Sequence, residues 1–69
     1  MTDLGTRVKS FRLQQKMSVR ELAKRAGVSV SYVYAVESGH RGHNIVKLGK
    51  IAKALGVPVS ALWEGSDEQ

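Results

Sequence analysis

The segment Ser18–Gly39, SVRELAKRAGVSVSYVYAVESG, constrains the fold most strongly because it contains two capped helical patterns separated by very few residues. Ser18, followed three positions later by Glu21, forms the capping box of a helix N-terminus. Gly27 stands where a helix ends in a left-handed conformation, and Ser29 caps the next helical pattern two positions later. A connection this short prevents antiparallel packing, so we predict that the two helices cross at a steep angle.

The two helices of this segment present different faces. The apolar residues of the earlier helix fall within about 100° of arc and include two alanines that permit close approach of another helix: Val19, Leu22, Ala23 and Ala26. The later helix is predicted from about Val30 to Ser38, and its inward side is marked by Ser29, Val33 and Val36. A separate arc of about 140° carries no charge and is here called the outer face: Val30, Ser31, Tyr34 and Ala35. We expect this face to contact a partner, because exposing valine and tyrosine to water does not stabilise the fold.

Three further helices are predicted around this pair. The first helix, at about residues 3–15, has Asp3 as its N-cap and an apolar stripe of Leu4, Val8 and Phe11. The fourth helix begins after the N-cap Asn44 and ends at Gly56. Its predicted apolar face consists of Ile45, Leu48, Ile51, Ala52 and Leu55. A short fifth helix opens at Pro58 and contributes three apolar side chains: Val59, Leu62 and Trp63.

These elements predict an all-α fold, a compact five-helix bundle in one domain at residues 1–65, followed by a flexible acidic tail at residues 66–69. A chain of 69 residues buries only about 60% of its unfolded surface, which leaves nothing for a second core. There is no cysteine, so helix packing alone must stabilise the domain. The absence of cysteine also fits a reducing cytosol.

Positive charge is concentrated in the predicted domain. Three of the six acidic residues lie in the last six positions: Glu64, Asp67 and Glu68. Residues 1–63 therefore contain 11 basic groups against three acidic ones, a net charge of +8, whereas the whole chain carries +5. A compact domain with this charge is expected to bind a polyanion, and nucleic acid is the commonest one.

Several classes of function are excluded by the residue pattern. No apolar run approaches the ~20 residues of a membrane span and MTDLGTRVK lacks a signal peptide's apolar stretch, so we expect a cytoplasmic protein without a membrane partner. The spacing indicates no cluster of hydroxyl, histidine and carboxylate groups, and we expect no enzymatic activity, no cofactor and no small-molecule ligand. His40 and His43 are three positions apart, but neither cysteine nor carboxylate accompanies them in the loop, so no metal site is predicted.

A joint pattern at fixed spacing identifies a family resemblance. Its central part is Leu22-Ala23, Gly27-Val28, Val33 and Val36. Arg12 in the first helix, Glu37-Ser38-Gly39 after the third and the ending KIAKALGVPVSALWEG agree with it. Over residues 4–65 the chain resembles the phage-repressor and Cro type of helix-turn-helix family, also called the XRE family.

The resemblance implies a lambda-repressor-like fold whose third helix enters the major groove of double-stranded DNA, while a two-fold dimer reads a palindrome. It also implies a cytoplasmic, nucleoid-associated protein of bacterial or phage origin. The outer-face residues Val30, Ser31, Tyr34 and Ala35 fall at positions that contact bases in the family. Positions that contact phosphates are occupied by Ser18, Ser29, Ser38, Arg41 and Asn44. Arg12 and Glu37 match an ion pair that also orients the arginine towards a phosphate. Further candidates for phosphate binding are Arg20, Tyr32, His40 and His43.

The chain departs from the family where glutamine commonly stands, since Val19 and Val30 occupy those positions. Bidentate amide recognition of adenine is therefore absent at Val30. We expect Val30 or Ala35 to contact a thymine methyl group, and Ser31 and Tyr34 to supply hydrogen bonds.

The C-terminal apolar residues Val59, Leu62 and Trp63 have two interpretations, ordinary core capping and a dimer contact. We favour the dimer interface, because an exposed tryptophan late in a small domain is typical of an interface and one small module reads few bases. The lysines of the fourth helix are expected to form a solvated face that contributes diffuse attraction more than direct contacts: Lys47, Lys50 and Lys53.

Together these features predict a sequence-specific transcriptional regulator, most consistent with a homodimeric repressor that occludes a promoter. The alternative is a protein-interaction module with weak DNA binding, similar to an antitoxin or a coactivator. The uncharged outer face favours this alternative. The tract from Arg41 to Asn44 argues against it, because a module that binds only protein has little need of phosphate donors there.

Overall fold

The computed structural model describes residues 4–39 and 44–62 and contains four α-helices in that part of the chain. They are α1 (Leu4–Gln14), α2 (Val19–Ala26), α3 (Val30–Glu37) and α4 (Ile45–Leu55), and a 3-10 turn follows at Val59–Leu62. The predicted all-α class is confirmed, since none of the described residues lies in a strand. Asp3, the predicted cap of the first helix, and the tail at residues 66–69 lie outside the described residues.

The prediction of a fifth helix is wrong about its type, because Val59–Leu62 forms a single turn of 3-10 helix and not an α-helix. The amide of Ala61 donates to the carbonyl oxygen of Pro58 at 2.9 Å, an i to i+3 bond. Such tight bonding is typical of short connecting pieces.

A membrane-spanning helix is absent from the described ranges, because none of their helices combines the necessary length with the necessary apolar character.

The predicted caps form, and they fix where the helices begin and end. The hydroxyl oxygens of Ser18 and Ser29 accept hydrogen bonds from amides three residues later, each at 3.0 Å. Gly27 ends α2 with φ 73°, a left-handed conformation that suits glycine. Its amide donates to the carbonyl oxygen of Ala23, which closes α2 just before Ser29 opens α3.

The core lies where α2 packs between α3 and α4, with α1 against α3 and the 3-10 turn against α4 and α1. Its largest fully buried side chains come from every one of these elements: Leu22, Leu48, Ile51, Leu62, Val8, Val33 and Val36. Ile45, predicted to share the apolar face of α4, is instead 58% exposed. It is the first residue of α4, one turn before Leu48, where the buried stripe of the helix begins.

The axes of α1 and α3 approach closely at Gly5. A Cβ atom on Gly5 would lie 2.5 Å from the carbonyl oxygen of Val36 and 2.6 Å from that of Glu37. Both neighbours are helix backbone and cannot rotate away. Gly5 is therefore required by the contact between two helices, and Gly49 in α4 offers a contrast because no atom would lie within 4 Å of its Cβ.

We predict that Gly5→Ala destabilises the protein by about 1–3 kcal/mol, because the added methyl group forces α1 away from α3. Gly49→Ala, the matched control in an open helical position, is expected to stabilise it by roughly 0.5–1 kcal/mol. Urea denaturation followed by circular dichroism measures both free energies of unfolding. Equal effects of the two substitutions would contradict the assigned contact.

Candidate nucleic-acid interface

The outer face of α3 is the exposed, uncharged surface of the helix-turn-helix unit. Val30 is 36% exposed and Tyr34 is 58% exposed, Ser31 is also exposed, and Ala35 is half-buried. On the opposite side of α3, Val33 and Val36 are completely buried. A rigid core side therefore holds a small apolar and hydroxyl-bearing surface towards solvent.

Three helices, α3 among them, begin at exposed polar caps. The caps are Ser18 of α2, Ser29 of α3 and Asn44 of α4. Each cap side chain satisfies one helix amide, and the N-terminus of a helix carries a partial positive charge that favours an anion. Ser38, another predicted phosphate contact, is exposed after α3 and its hydroxyl donates to the carbonyl oxygen of Ala35 at 3.2 Å.

Arg12 of α1 forms the ion pair with Glu37 of α3 that the resemblance implied. Its Nε atom donates to Glu37 Oε2 at 2.7 Å and its Nη2 atom to Oε1 at 3.1 Å. The Nη1 atom donates to the carbonyl oxygen of Met17 at 2.8 Å. The hydrogen bond to Glu37 raises the pKa of Arg12, so the guanidinium stays charged although its side chain is only 9% exposed.

This enclosure bears on the predicted phosphate contact of Arg12. Both side chains of the pair are more than nine-tenths buried, and all three guanidinium nitrogens bond to protein atoms. Arg12 thus joins α1 to α3 and to the turn before α2. The structure gives it a positioning role, and it offers little surface to a phosphate.

Tyr32 requires a correction, because it was predicted to contact a phosphate and its hydroxyl oxygen is buried. The side chain is 9% exposed and belongs to the core. Its position follows from the helical period: Tyr32 lies next to Val36 on the buried side of α3. The Nζ atom of Lys47 lies 4.9 Å from the centre of the Tyr32 ring, a contact that the sequence did not indicate.

One residue of the predicted dimer interface, Leu62, also requires a correction. Leu62 is completely buried within the single chain, so it cannot contact a second copy. Val59 is half-buried and packs against the same core. The aliphatic side chains that the described residues expose most lie elsewhere, at Leu13, Ile45 and Val46, with 55%, 58% and 66% exposure. Trp63 lies outside the described residues.

The predicted loop contacts His40, Arg41 and His43 likewise lie outside the described residues, and so do the three acidic residues near the C-terminus. In the described ranges the carboxylate side chains are Glu21 and Glu37, and both are bonded to arginines. Arg25 Nη2 lies 2.6 Å from Glu21 Oε2. Positive charge therefore dominates the surface of the described residues. These residues contain no group of three side chains that could hold a metal ion.

An open groove of about 870 Å³ runs between α2 and the start of α3. Arg20, a predicted phosphate contact, lines it and is exposed. Lys24, one helical turn further along α2, and the outer-face residue Val30 also line it. Lys24 was missed by the sequence analysis, although its i, i+4 spacing from Arg20 placed both cations on one side of α2.

We predict that Glu37→Gln costs about 3–5 kcal/mol of stability, because it leaves the Arg12 guanidinium buried without its countercharge. Glu21→Gln breaks the exposed pair with Arg25 and is expected to cost at most about 1 kcal/mol. The two variants lose the same charge, so urea denaturation of both at one salt concentration compares a buried pair with an exposed one. A loss at Glu37 no larger than that at Glu21 would refute a buried, structure-defining pair.

Comparison with known proteins gives relatives that are all regulators by name. The immunity repressor protein of Bacillus phage phi105 is 34% identical over 59 residues, which are 86% of this chain and 41% of that protein. The transcriptional regulator SinR of Bacillus licheniformis is 33% identical over 66 residues, 94% of this chain and 60% of SinR. The chain thus spans about half the length of these relatives.

Two solved structures have the same fold. A crystal structure of SinR, the master regulator for biofilm formation, in complex with DNA matches with a TM-score of 0.83 at 34% identity, covering 88% of this chain and 98% of that one. SinR in its complex with the SinI protein matches with a TM-score of 0.85 at 33% identity, covering 94% and 64%.

A family model described as helix-turn-helix, HTH_3, matches residues 8–62, a range that begins in α1 and ends with the 3-10 turn. This range includes the capped pair of helices, the ion pair between Arg12 and Glu37, and most of the core. The chain belongs to the HTH_3 (XRE) family of helix-turn-helix domains.

Proposed function

We propose that this chain is a sequence-specific, double-stranded DNA-binding regulator of transcription that inserts α3 into the major groove. The observation that carries the proposal is the outer face of α3, an exposed and uncharged surface on a helix that begins at the exposed polar cap Ser29. A major groove admits one α-helix, whose side chains reach base edges while neighbouring helix ends contact the backbone. The DNA complex of SinR supports this reading of the family's fold.

Base recognition in this proposal rests on small contacts. Val30 and Ala35 contact thymine methyl groups, and the hydroxyl groups of Ser31 and Tyr34 form hydrogen bonds with base edges. None of these side chains can form the bidentate pairs made by arginine, asparagine or glutamine. Selectivity therefore also depends on the shape and deformability of the operator.

Affinity comes from the groups around the outer face. Ser18, Ser29 and Asn44 bring helix N-termini to phosphates, Arg20 adds a cation, and Arg41 is proposed for the same role. Phosphate neutralisation releases counterions, so binding weakens steeply with salt. The DNA of a bacterium or of an infecting phage lies in the cytoplasm, so the proposed function implies a cytoplasmic protein.

The regulator is proposed to act as a homodimeric repressor on a palindromic operator. The immunity repressor among the relatives favours repression. Ile45 and Val46, exposed beside the cap of α4, offer an apolar contact for a second copy, and Val59 and Trp63 remain candidates for it. A single small module buries too little DNA surface to be selective, which favours two copies on one site.

A protein-interaction module is the second candidate, and the complex of SinR with SinI favours it because that relative associates with another protein. The two functions predict different DNA binding. A regulator prefers particular sequences, whereas a protein-interaction module binds DNA only weakly and without sequence preference.

In vitro selection from random duplexes tests the proposal as a whole. We expect an enriched palindrome with half-sites about one helical turn apart, bound by two copies in analytical ultracentrifugation. Selection of a single, asymmetric half-site by a monomer would refute the dimer. The absence of any enrichment would favour the protein-interaction module.

Tyr34→Ala tests the outer face directly. We expect a loss of about 1–3 kcal/mol at the selected site or an altered base preference, because the phenol and its hydroxyl group contact a base pair. Leu13→Ala is the matched control, since Leu13 is 55% exposed and lines a surface hollow formed by residues of α1 alone. If Tyr34→Ala changes neither affinity nor preference, α3 does not read the DNA through this face.

A further inference from the structure

Lys47 occupies a position that the stability of α4 does not explain. It lies in the first turn of the helix, where its amide donates to Oδ1 of the cap Asn44 at 3.1 Å. A cation at this end opposes the helix dipole, which favours cations at the C-terminal end. Lys53, in the last turn of the same helix, has the favourable placement.

The ammonium group of Lys47 is held over an aromatic ring of the neighbouring helix. Its Nζ atom lies 4.9 Å from the centre of the Tyr32 ring, within the range of a cation–π interaction. The carboxylates of the described residues, Glu21 and Glu37, are each engaged by an arginine. Lys47 is also exposed, so its charge is available to an anion from solvent.

This contact places the ammonium group next to Tyr32, at the boundary between the buried side of α3 and its outer face. At about 100° per residue, Tyr32 lies about 60° beyond Ala35, the last outer-face residue on that side. The opposite edge is bordered by Glu37, about 20° from Val30, and by its partner Arg12. A buried ion pair therefore flanks one edge and an accessible cation flanks the other.

We propose that Lys47 binds a phosphate of the same DNA that α3 reads, and that the Tyr32 ring is a positioning group for its ammonium. The inference rests on the proposed function and adds a contact to it. The Tyr32 ring restricts a long, flexible side chain to one region before DNA arrives, which lowers the entropy lost on binding. An arriving phosphate also neutralises the unfavourable charge at the N-terminus of α4.

Three charge-neutralising variants on one helix test this proposal against the diffuse effect of charge. Lys47→Gln is compared with Lys50→Gln and Lys53→Gln, using the duplex enriched by selection and a series of salt concentrations. Loss of one phosphate contact lowers the slope of log affinity against log salt by about 0.9, which corresponds to roughly eightfold weaker binding at 0.1 M salt. We expect this change for Lys47→Gln and a much smaller one for both controls.

Two variants at Tyr32 separate positioning from a purely structural role. Tyr32→Phe retains the ring and is expected to leave the salt slope unchanged. Tyr32→Leu removes it and is expected to weaken binding, with no further loss when Lys47→Gln is added. Thermal unfolding of each variant provides the structural readout, and a variant that is unfolded at the assay temperature is replaced by Tyr32→Met.

The possible outcomes distinguish the two proposals. If the unmodified protein binds a selected duplex and Lys47→Gln has the same salt slope as Lys50→Gln, the role of Lys47 is refuted and the proposed function stands. If the unmodified protein enriches no duplex, the proposed function fails and the role of Lys47 fails with it. A slope change confined to Lys47→Gln supports both.

Discussion

The contact between α1 and α3 is the constraint on which the candidate interface depends. Gly5 lets the two backbones meet, and the bidentate pair of Arg12 with Glu37 fixes the rotation of α3 about its own axis. That rotation decides which residues of α3 face solvent. Rotation in one direction would bring Val33 towards the surface, and rotation in the other would carry Tyr34 towards the core, so two residues of α1 determine which surface α3 presents to solvent.

Local chemistry explains why the capped pair of helices was predictable from sequence. Ser18, Ser29 and Gly27 act on amides and carbonyls within four residues, so their roles follow from spacing alone. The outer face was predictable for the same reason, since a period of 3.6 residues separates Tyr34 from Val33 and Val36. The roles of these residues in DNA binding remain predictions.

Residues whose environment is set by distant contacts were the ones that sequence reasoning missed or misplaced. Gly5 is indispensable only because Val36 and Glu37 approach it, and nothing near Gly5 in the chain signals that. Leu62 was assigned to a dimer because apolar character does not reveal which surface an element packs against. Tyr32 has an apolar ring that suits a core and a hydroxyl group that suits a polar surface. The packing of α3 in the folded protein buries that hydroxyl group.

In the proposed DNA complex, charge and sequence reading belong to different residues, and this separation has a mechanistic consequence. The outer face has no ionisable group other than the Tyr34 phenol, while cations such as Arg20 and Lys47 lie at its margins. Screening by salt acts on the margins and leaves methyl and hydroxyl contacts nearly unchanged. Ionic strength is therefore expected to set how much DNA is occupied, and the outer face of α3 to set which DNA is preferred.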